Sequence, residues 1–251
     1  MQAVSQPAVR GRAIVVGASS GIGAALVRQL VREGWAVAAL ARRTDKLDEL
    51  ARSLASSRLI VRAHDVKDFD SVPVLFEELV RELGGLNLLI FAAAVMPKVL
   101  KDEYDTHKDL EMLALNTGGC IAWCNAAAIL FRTQREGSIL AISSIAGERG
   151  RKGNPAYGAT KAAMNHYLEA LRNRLSEVGV HVCTVKPGFV DTDMTKGMGK
   201  LLWLISAEEA AAQMLTALRS GANERFVPRR WWLVATVIRS IPSFVFKKLN
   251  V

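Results

Sequence analysis

Short apolar runs alternate along this chain with longer stretches in which apolar residues recur at helical spacing, and this alternation restricts the fold more than any other feature. The run RAIVVGA over 12–18 precedes the helical stretch GAALVRQLVREG over 23–34, and SILAIS over 138–143 precedes a helical stretch over about 156–177. Strands that are apolar on both faces pack in a parallel sheet with helices on each side. Parallel neighbours also need crossover connections, which these helices supply. The pattern therefore predicts an α/β fold with a doubly wound parallel sheet.

The remaining predicted elements continue the same alternation. Further strands are predicted over 35–40, 58–63, 86–94 and 180–187, and further helices over 45–54, 71–83 and roughly 108–133. No linker or internal repeat interrupts the pattern, and 251 residues are enough for one large domain. We predict a single domain over 1–228, followed by an amphipathic tail over 229–251.

The charge balance and the cysteine and histidine content narrow the kinds of partner. The formal charge of +9 favours anionic partners such as phosphorylated ligands or acidic membrane surfaces, but no long run of Lys and Arg predicts nucleic-acid binding. Three cysteines without CxxC spacing and four scattered histidines predict neither a disulfide framework nor a metal site. The first residues do not form a basic segment followed by a long apolar run, so we expect no secretory signal and a cytoplasmic location.

A glycine-rich turn links the first predicted strand to the first predicted helix. In VVGASSGIGAAL, Gly17 suits a tight turn, and Gly21 and Gly23 let a phosphate and the sheet approach the backbone closely. The N–H groups of the first helical turn then face an anion. Because a strand precedes this turn and a helix follows it, the context predicts a dinucleotide site rather than a plain structural turn.

Residues after the second and third predicted strands bear on the choice of cofactor. In dinucleotide-binding folds the end of the second strand lies beside the adenosine ribose, and an acidic residue there favours NAD. This chain has Arg42 and Arg43 instead, and guanidinium groups bind phosphate in a bidentate manner. We therefore expect NADP(H) to be favoured over NAD(H), with solvent exposure of both arginines at the strand end as the alternative. Asp65 and Val66, just past the third strand, are candidates to flank the adenine.

Further motifs give the chain a resemblance to a known family. The stretch PAYGATKAAM places Tyr157 and Lys161 four positions apart, ISS occupies 142–144 and KPG occupies 186–188. Together with the glycine turn, in this order and at these separations, the motifs resemble those of the short-chain dehydrogenase/reductase (SDR) family. The resemblance covers about residues 12 to 228 and implies a Rossmann fold with hydride transfer to or from a nicotinamide cofactor.

The resemblance also implies a role for each matching residue. Tyr157 would be the general acid in reduction and the base in oxidation, and Ser144 would hold the substrate carbonyl oxygen. Lys161 would bind the nicotinamide ribose and lower the pKa of the tyrosine, since a nearby ammonium favours the phenolate. Asn116 matches the asparagine of the family's proton relay. The expected cofactor contacts are Gly17, Ser19, Ser20, Gly21, Ile22, Gly23, Arg42, Arg43, Asp65, Val66, Ala93, Tyr157, Lys161, Pro187, Gly188, Val190 and Thr192.

The chain departs from the family pattern in two places. Val16 stands where the family usually has threonine, and Phe91, Ala92, Ala93 and Ala94 stand where Asn-Asn-Ala-Gly is usual. The missing polar groups normally support each other by hydrogen bonding, and losing both leaves no orphan donor. We therefore expect compensated packing, with any consequence falling on cofactor affinity near Ala93 rather than on catalysis.

Segments that flank the expected site suggest a substrate class. Arg149 and Arg151 lie in a basic loop that should border the substrate mouth, where they would bind a phosphate or simply face solvent. An apolar lid is expected over 191–206, in which Leu201 and Trp203 would contact a hydrophobic substrate or pack within the lid. The loop and the tail also resemble one branch of the family, the decaprenylphosphoryl-keto-ribose reductases, which implies a keto sugar carried on a polyprenyl phosphate.

The tail after Pro228 combines apolar and basic residues. Its apolar run from Trp231 to Ile238 is far shorter than the roughly 20 residues that span a bilayer. Tryptophans beside arginines, and Phe244 and Phe246 beside lysines, suit a helix in a membrane interface, an oligomer contact or a cover over the active site equally well. The inner face of the membrane is thus an alternative location.

The family resemblance implies a homodimer or homotetramer acting on a small-molecule or lipid-linked ketone. Two other functions stay open from the residues alone: a non-catalytic NADP-binding redox sensor and a membrane-associated scaffold. The intact set of Ser144, Tyr157 and Lys161 favours the enzyme, because a sensor has no need of a proton donor.

Overall fold

The computed structural model describes residues 9 to 249. The first eight residues of the predicted domain lie outside the described residues. The expectation of no secretory signal rests in part on them. The last two residues of the predicted tail lie outside the described residues as well.

The described residues form one parallel sheet of seven strands in the order β3-β2-β1-β4-β5-β6-β7. The strands are β1 (Arg12–Val16), β2 (Ala36–Ala41), β3 (Leu59–Ala63), β4 (Leu88–Phe91), β5 (Ser138–Ile142), β6 (His181–Pro187) and β7 (Glu224–Val227). The order reverses between β1 and β4, and dinucleotide-binding sheets hold their ligand at such a point. The predicted doubly wound parallel sheet is therefore confirmed. Edge strand β7 was not predicted, because its four residues include two charged ones and form no apolar run.

Helices cover both faces of the sheet. Within residues 9 to 249 the α-helices are α1 (Gly21–Arg32), α2 (Thr44–Leu54), α3 (Val72–Leu83), α4 (Thr106–Leu113), α5 (Gly119–Gln134), α6 (Pro155–Leu175), α7 (Ala207–Arg219), α8 (Trp231–Ser240) and α9 (Ser243–Phe246). The predicted single helix over 108–133 is divided, since a π-helical turn, Ala114–Gly118, separates α4 from α5. Helix α7 was not predicted as an element. It begins at Ala207, after the N-cap residue Ser206, whose side chain accepts a hydrogen bond from the backbone N–H of Glu209 at 3.0 Å.

Apolar side chains from the helices pack on both sides of the strands. Leu26 and Leu30 of α1 pack with Met214 of α7 on one side. Trp123 of α5 and Leu168 of α6 pack on the other. The strands are thus buried on both faces, which explains why their sequences read as apolar runs rather than alternating patterns.

One stretch in the described part of the chain, Thr106–Gln134, is long and apolar enough to cross a membrane by length and composition alone. Cys120, Trp123 and Cys124 within it are fully buried and pack in the core beside the sheet. Packing against the sheet therefore accounts for its apolar composition.

The tail folds back onto the domain. Trp231, Ala235 and Ile238 lie at helical spacing on the inner face of α8 and are buried. Trp231 and Ala235 belong to a small apolar cluster with Ile145 and Phe226, so α8 packs on β7 and on the segment that follows β5.

Candidate active site

A cavity of about 720 Å³ opens where the chain leaves the carboxyl ends of β1, β2, β4, β5 and β6. Residues from each of these strand ends meet there, because all carboxyl ends of a parallel sheet lie at one edge. Its lining comprises Gly17, Ser19, Ser20, Gly21, Ile22, Gly23, Ala41, Arg42, Arg43, His64, Val66, Ala92, Ala93, Ala94, Val95, Met96, Pro97, Lys108, Glu111, Met112, Leu115, Ile142, Ser143, Ser144, Tyr157, Lys161, Pro187, Gly188, Val190, Thr192, Asp193, Met194 and Thr195. Of the residues predicted for catalysis and cofactor contact, all but Asn116 and Asp65 are in this set.

The glycine turn between β1 and α1 admits no side chain at its key positions. A β-carbon on Gly17, whose φ is +90°, would lie 2.4 Å from the backbone nitrogen of Ala93. A β-carbon on Gly23 would lie 2.1 Å from the carbonyl oxygen of Gly17. The close approach of β1, β4 and α1 therefore requires glycine at both positions. The residues before α1, Ser19 and Ser20, consequently face the cavity with the helix N-terminus behind them.

Arg43 turns back from the end of β2 over this glycine turn. Its guanidinium donates to Ser19 Oγ at 2.9 Å and to Ser20 Oγ at 2.5 Å, so Ser20 does not cap α1 with its own side chain. Arg42 lies beside it, with a guanidinium nitrogen 3.8 Å from a carboxylate oxygen of Asp65. Both arginine side chains are about half exposed, at 52% and 50%. Two cations thus stand next to a helix N-terminus in one corner of the cavity.

Tyr157 lies in the first turn of α6 and lines the same cavity. Asn154 fixes the start of this helix by accepting a hydrogen bond from the backbone N–H of Tyr157 at 3.0 Å. The tyrosine is 8% exposed. Burial raises the pKa of Tyr157, while the nearby Ser144 side chain and the charge of Arg151 oppose this rise.

Ser144 is distinguished from its neighbour by where its hydroxyl points. Ser144 Oγ accepts a hydrogen bond from the backbone N–H of Ala146 at 3.1 Å and lies in the cavity lining beside the tyrosine. Ser143 Oγ instead donates to the carbonyl oxygen of Lys161 at 3.2 Å and so holds the backbone of α6 against β5. The structure therefore brings Ser144, rather than Ser143, to the phenol.

Lys161 follows Tyr157 by one helical turn and is buried, at 1% exposure. Its ammonium donates to the carbonyl oxygen of Ile142 at 2.9 Å and lies 5.8 Å from the centre of the Tyr157 ring. Burial lowers the pKa of Lys161 to about 8, because the charged form is poorly solvated there. The ammonium and the phenol thus share one buried corner of the cavity.

Asn116 lies behind the cavity wall, in the π-helical turn between α4 and α5. Its amide is fully buried and pairs with the backbone of Val95 in both directions, with Oδ1 accepting at 2.8 Å and Nδ2 donating at 3.0 Å. Nδ2 also lies 3.2 Å from Thr160 Oγ1 on α6. Asn116 therefore ties the segment after β4 to the helix that carries Tyr157 and Lys161.

The turn after β6 forms a further part of the cavity lining. Pro187, Gly188, Val190 and Thr192 all border the cavity. The methyl group of Thr192 would lie 2.9 Å from a β-carbon placed on Gly21, so this turn and the glycine turn meet directly.

The four residues predicted to contact substrate are not in the cavity lining. Arg149 donates to the carbonyl oxygens of Ile238 at 2.7 Å and of Ile241, at the end of α8. Trp203 packs edge-to-face on Trp231, with ring centres 5.4 Å apart. Leu201 lies in the same segment as Trp203 and is also outside the cavity lining. The lid residues that do border the cavity come earlier in the lid.

Arg151 is also outside the lining, but its charge acts on Tyr157. Burial lowers the pKa of Arg151, and the tyrosine opposes this shift. All four residues predicted to contact substrate lie in the described part of the chain. Of these four, Arg151 is the one whose charge acts on Tyr157.

Sequence reasoning missed an apolar wall near the tyrosine. Val95, Met96 and Pro97 follow β4 and line the cavity together with Met112 of α4 and Met194 of the lid. Met112 packs with Tyr157 in one buried cluster. The rule that ligands bind beyond the carboxyl ends of strands would have indicated the segment after β4, but no pattern in α4 indicates which residue faces inward.

The departures at Val16 and after β4 are accommodated by packing. Val16 and Phe91 are fully buried, directly paired in the sheet register, and the backbone N–H of Ala92 donates to the Val16 carbonyl oxygen at 2.8 Å. The apolar pair fills the space where polar partners would otherwise hydrogen-bond, so no buried donor is left without an acceptor at these side chains.

The residues of this cavity fit a nicotinamide dinucleotide. Glycines whose β-carbons would collide with backbone keep the turn before α1 narrow, and the helix N-terminus together with Arg42 and Arg43 suits phosphate groups. Within residues 9 to 249, no three His, Cys, Asp or Glu side chains gather where they could hold a metal ion.

Comparison with known proteins gives a consistent result. A family model described as short chain dehydrogenase matches residues 12–201. An uncharacterized oxidoreductase of Mycobacterium tuberculosis (strain CDC 1551 / Oshkosh) is 27% identical over 235 residues, which is 92% of each chain. A 3-oxoacyl-[acyl-carrier-protein] reductase of Bos taurus is 32% identical over 188 residues, 75% of this chain and 79% of the relative. A solved structure titled ElxO with NADP bound shares the fold, with a TM-score of 0.75 and 20% identity over 82% of this chain and 90% of that one.

Proposed function

This chain belongs to the short-chain dehydrogenase family, and from that membership we propose an NADP(H)-dependent oxidoreductase that interconverts a ketone and a secondary alcohol. The observation that carries the proposal is the buried group of Tyr157, Ser144 and Lys161, which lines the same cavity as the glycine turn. A proton donor, a hydroxyl and an ammonium in one corner are what reduction of a carbonyl needs.

Tyr157 supplies the proton. The glycine turn with Arg42 and Arg43 would hold a nicotinamide cofactor, which would supply the hydride for the carbonyl carbon. The Tyr157 hydroxyl gives its proton to the carbonyl oxygen, and the Ser144 hydroxyl stabilises the negative charge that develops on that oxygen. A tyrosine ordinarily has a pKa near 10 and burial raises that of Tyr157 further, so the phenol is protonated at neutral pH, as a proton donor must be.

Lys161 stabilises the phenolate that remains after proton transfer. With its pKa lowered to about 8, the amine is still mostly cationic at pH 7. A buried cation near the ring favours the phenolate more strongly than one in water would, because the local dielectric constant is low. The phenol can therefore give up its proton during the reaction although its resting pKa is high.

The preference for NADP(H) over NAD(H) rests on Arg42 and Arg43. Their guanidinium groups are half exposed at the end of β2, where a 2′-phosphate would approach. Arg43 is already directed onto the turn before α1 by Ser19 and Ser20. Asp65, the acidic residue nearest to Arg42 in this corner, lies beyond the cavity lining and is paired with that arginine.

The substrate is an apolar ketone. Val95, Met96 and Met112 pack with Tyr157, and Pro97 and Met194 add further apolar side chains to the cavity lining. The Bos taurus relative is named as a reductase of 3-oxoacyl groups, which also carry a ketone on an acyl chain. A ketone on a polyprenyl phosphate is a narrower proposal, and the charge of Arg151 beside Tyr157 supports it. Arg149 does not support it, because carbonyl groups of α8 occupy its guanidinium.

Titration with NADPH and NADH, followed by turnover with a panel of apolar ketones and lipid-linked keto sugars, tests the proposal. We expect tighter binding of NADPH and ketone-dependent oxidation of it. Tyr157→Phe should lower kcat by about 10²- to 10⁴-fold with cofactor affinity retained. Binding of NADPH without turnover of any ketone would instead favour a cofactor-binding sensor.

We propose that the enzyme is a homodimer or homotetramer located in the cytoplasm. The proposal rests on membership of the family, because the family resemblance implies a dimer or a tetramer. Light scattering of the purified chain measures the number of subunits, and a monomer that turns over ketone would contradict the proposed assembly.

A further inference from the structure

We propose that α8 and α9 form a docking surface for an anionic lipid bilayer. The surface, called the tail surface below, consists of the exposed apolar side chains of Trp232, Leu233, Val237, Phe244 and Val245. It is independent of the cavity and of the proposed reaction, because none of these residues lines the cavity.

Helix α8 is apolar on both faces, although only one face packs on the domain. The inner face carries Trp231 and is buried, whereas Leu233 and Val237, one turn apart, are 58% and 61% exposed. Trp232 beside them is 55% exposed, and Phe244 in α9 is 68% exposed. Large apolar side chains that gather on one exposed surface of a folded domain mark an interaction site.

The tail surface is held in place before any partner arrives. Arg149 donates to the carbonyl oxygens of Ile238 at 2.7 Å and Arg239 at 3.1 Å, and its guanidinium lies 4.1 Å from the centre of the Phe246 ring. A buried carboxylate, Glu148, pairs with Arg239 on α8 and with Lys186 of β6 at 3.0 Å. Docking therefore requires little additional ordering of the chain, which lowers its entropic cost.

The charge around the tail surface selects its partner. Arg229, Arg230, Lys247 and Lys248 are exposed beside it, and the sequence has no Asp or Glu after Glu224. A second copy of the chain docked by two-fold symmetry would bring these cations against each other. An anionic lipid headgroup layer complements them instead, with basic residues near the surface each adding attraction.

The residue types and the length of α8 also suit a lipid interface. Tryptophan is enriched at the boundary between headgroups and acyl chains. The ten residues of α8 end before Pro242, so the helix is too short to cross a bilayer and would lie in its surface. The neighbouring lid adds Leu202 and Leu204, which are 52% and 46% exposed.

Co-sedimentation of the full chain with vesicles tests this proposal. We expect binding to vesicles of phosphatidylcholine with phosphatidylglycerol, weaker binding at high salt, and little binding to phosphatidylcholine alone. The double variant Leu233→Gln with Val237→Gln should raise the lipid concentration for half-binding by about tenfold or more, because two apolar side chains no longer enter the acyl region.

A matched pair of valines provides the control. Val74 on α3 is 63% exposed, against 61% for Val237, so Val74→Gln makes the same change on another surface. Val237→Gln should weaken vesicle binding and Val74→Gln should leave it unchanged. If the apolar variants do not fold, Lys247→Gln with Lys248→Gln changes only exposed charge and should reduce both the binding and its salt dependence.

Three results would overturn the proposal. The first is that the full chain does not sediment with anionic vesicles, and the second is that Val237→Gln and Val74→Gln bind vesicles equally. The third is that light scattering shows the tail variants to dissociate an oligomer while vesicle binding is absent, which assigns the tail surface to contact between copies. Circular dichroism and thermal unfolding of each variant, measured in parallel, show whether the chain is folded.

Discussion

The indole ring of Trp231 lies directly against Gly188, so that a β-carbon placed on Gly188 would come within 2.0 Å of the indole nitrogen. Gly188 lines the cavity in the turn after β6, and Trp231 begins α8. The ring also packs edge-to-face on Phe189 and Trp203, with ring centres 5.6 Å and 5.4 Å apart. The tail is therefore a structural support of the turn that borders the proposed nicotinamide site.

Gly188→Ala should weaken cofactor binding by displacing this turn. Overpacking of this kind costs about 1 to 3 kcal/mol of folding free energy, and the displaced turn should raise the Kd for NADPH by about tenfold. Adding Trp231→Ala creates space for the new methyl group, so the two changes together should cost less than the sum of the single changes. Thermal unfolding and NADPH titration of the two single variants and the double variant measure this coupling.

Gly150→Ala is the control for this experiment. A β-carbon at position 150 would meet no atom within 4 Å, so its unfolding temperature and NADPH affinity should match those of the unchanged chain. Strictly additive effects of Gly188→Ala and Trp231→Ala would show that the contact does not position the turn.

Arg43→Gln should reduce the preference for NADPH. The substitution removes the guanidinium that lies over Ser19 and Ser20, and a charge-assisted phosphate contact is worth about tenfold or more in Kd. Affinity for NADH should change much less, because NADH has no 2′-phosphate. Fluorescence titration with both cofactors gives the ratio. Arg52→Gln removes an exposed arginine from α2 and should leave that ratio unchanged. If Arg43→Gln lowered the affinity for both cofactors equally, a 2′-phosphate contact would be excluded.

The buried amine of Lys161 should make folding stability depend on pH. Its pKa is lowered from 10.5 to about 8 in the folded chain, so between these values the unfolded chain binds more protons and stability rises with pH. Relative to Lys161→Met, which has no titrating group, the free energy of unfolding should increase by about 2 kcal/mol as the pH rises from neutral toward the unfolded pKa.

Denaturant unfolding at several pH values measures this difference. Below the folded pKa the lysine is charged in both states, so the two chains should there show parallel pH profiles. Parallel profiles across the whole interval would mean that Lys161 is better solvated than its position between α6 and Ile142 indicates.

Arg149→Met should destabilise the tail rather than impair substrate binding. It removes the donor to the carbonyl oxygens that end α8, and hydrogen bonds from a charged donor are worth about 1.5 to 3 kcal/mol. We expect faster proteolysis after Pro228 and a lower unfolding temperature, with kcat and KM for the ketone nearly unchanged.

Lys152→Met, in the same loop but exposed, is the matched control for Arg149→Met and should leave proteolysis unchanged. A rise in KM with normal stability after Arg149→Met would restore the substrate contact that the sequence predicts for this arginine.

The bounds of strands and helices in which apolar residues recur at a regular spacing could be predicted closely from the sequence. Strand β2 was expected over 35–40 and occupies Ala36–Ala41, and α2 was expected over 45–54 and occupies Thr44–Leu54. Their burial follows from period and composition, which are local properties of the chain. The meeting of the glycine turn with Ser144, Tyr157 and Lys161 could also be anticipated, because the carboxyl ends of parallel strands share one edge.

The environment of single side chains could not be predicted in this way. Arg149 belongs to a basic loop in the sequence, yet its partners on α8 and beyond lie 89 to 92 positions later along the chain. Trp203 belongs to an apolar lid, yet it packs on Trp231 and under Arg230 rather than lining the cavity. Such contacts depend on how distant segments pack, which no local pattern contains.

The sequence by itself determined the order of layers, the glycine turn and the residue types available for proton transfer, because these depend on backbone periods and on side-chain chemistry. Only the tertiary structure decided that burial raises the pKa of Tyr157 and lowers that of Lys161, that an apolar wall of Met96 and Met112 faces the phenol, and that the tail supports Gly188. Solvation and contact are properties of the packed chain, since they arise from atoms that are far apart in the sequence.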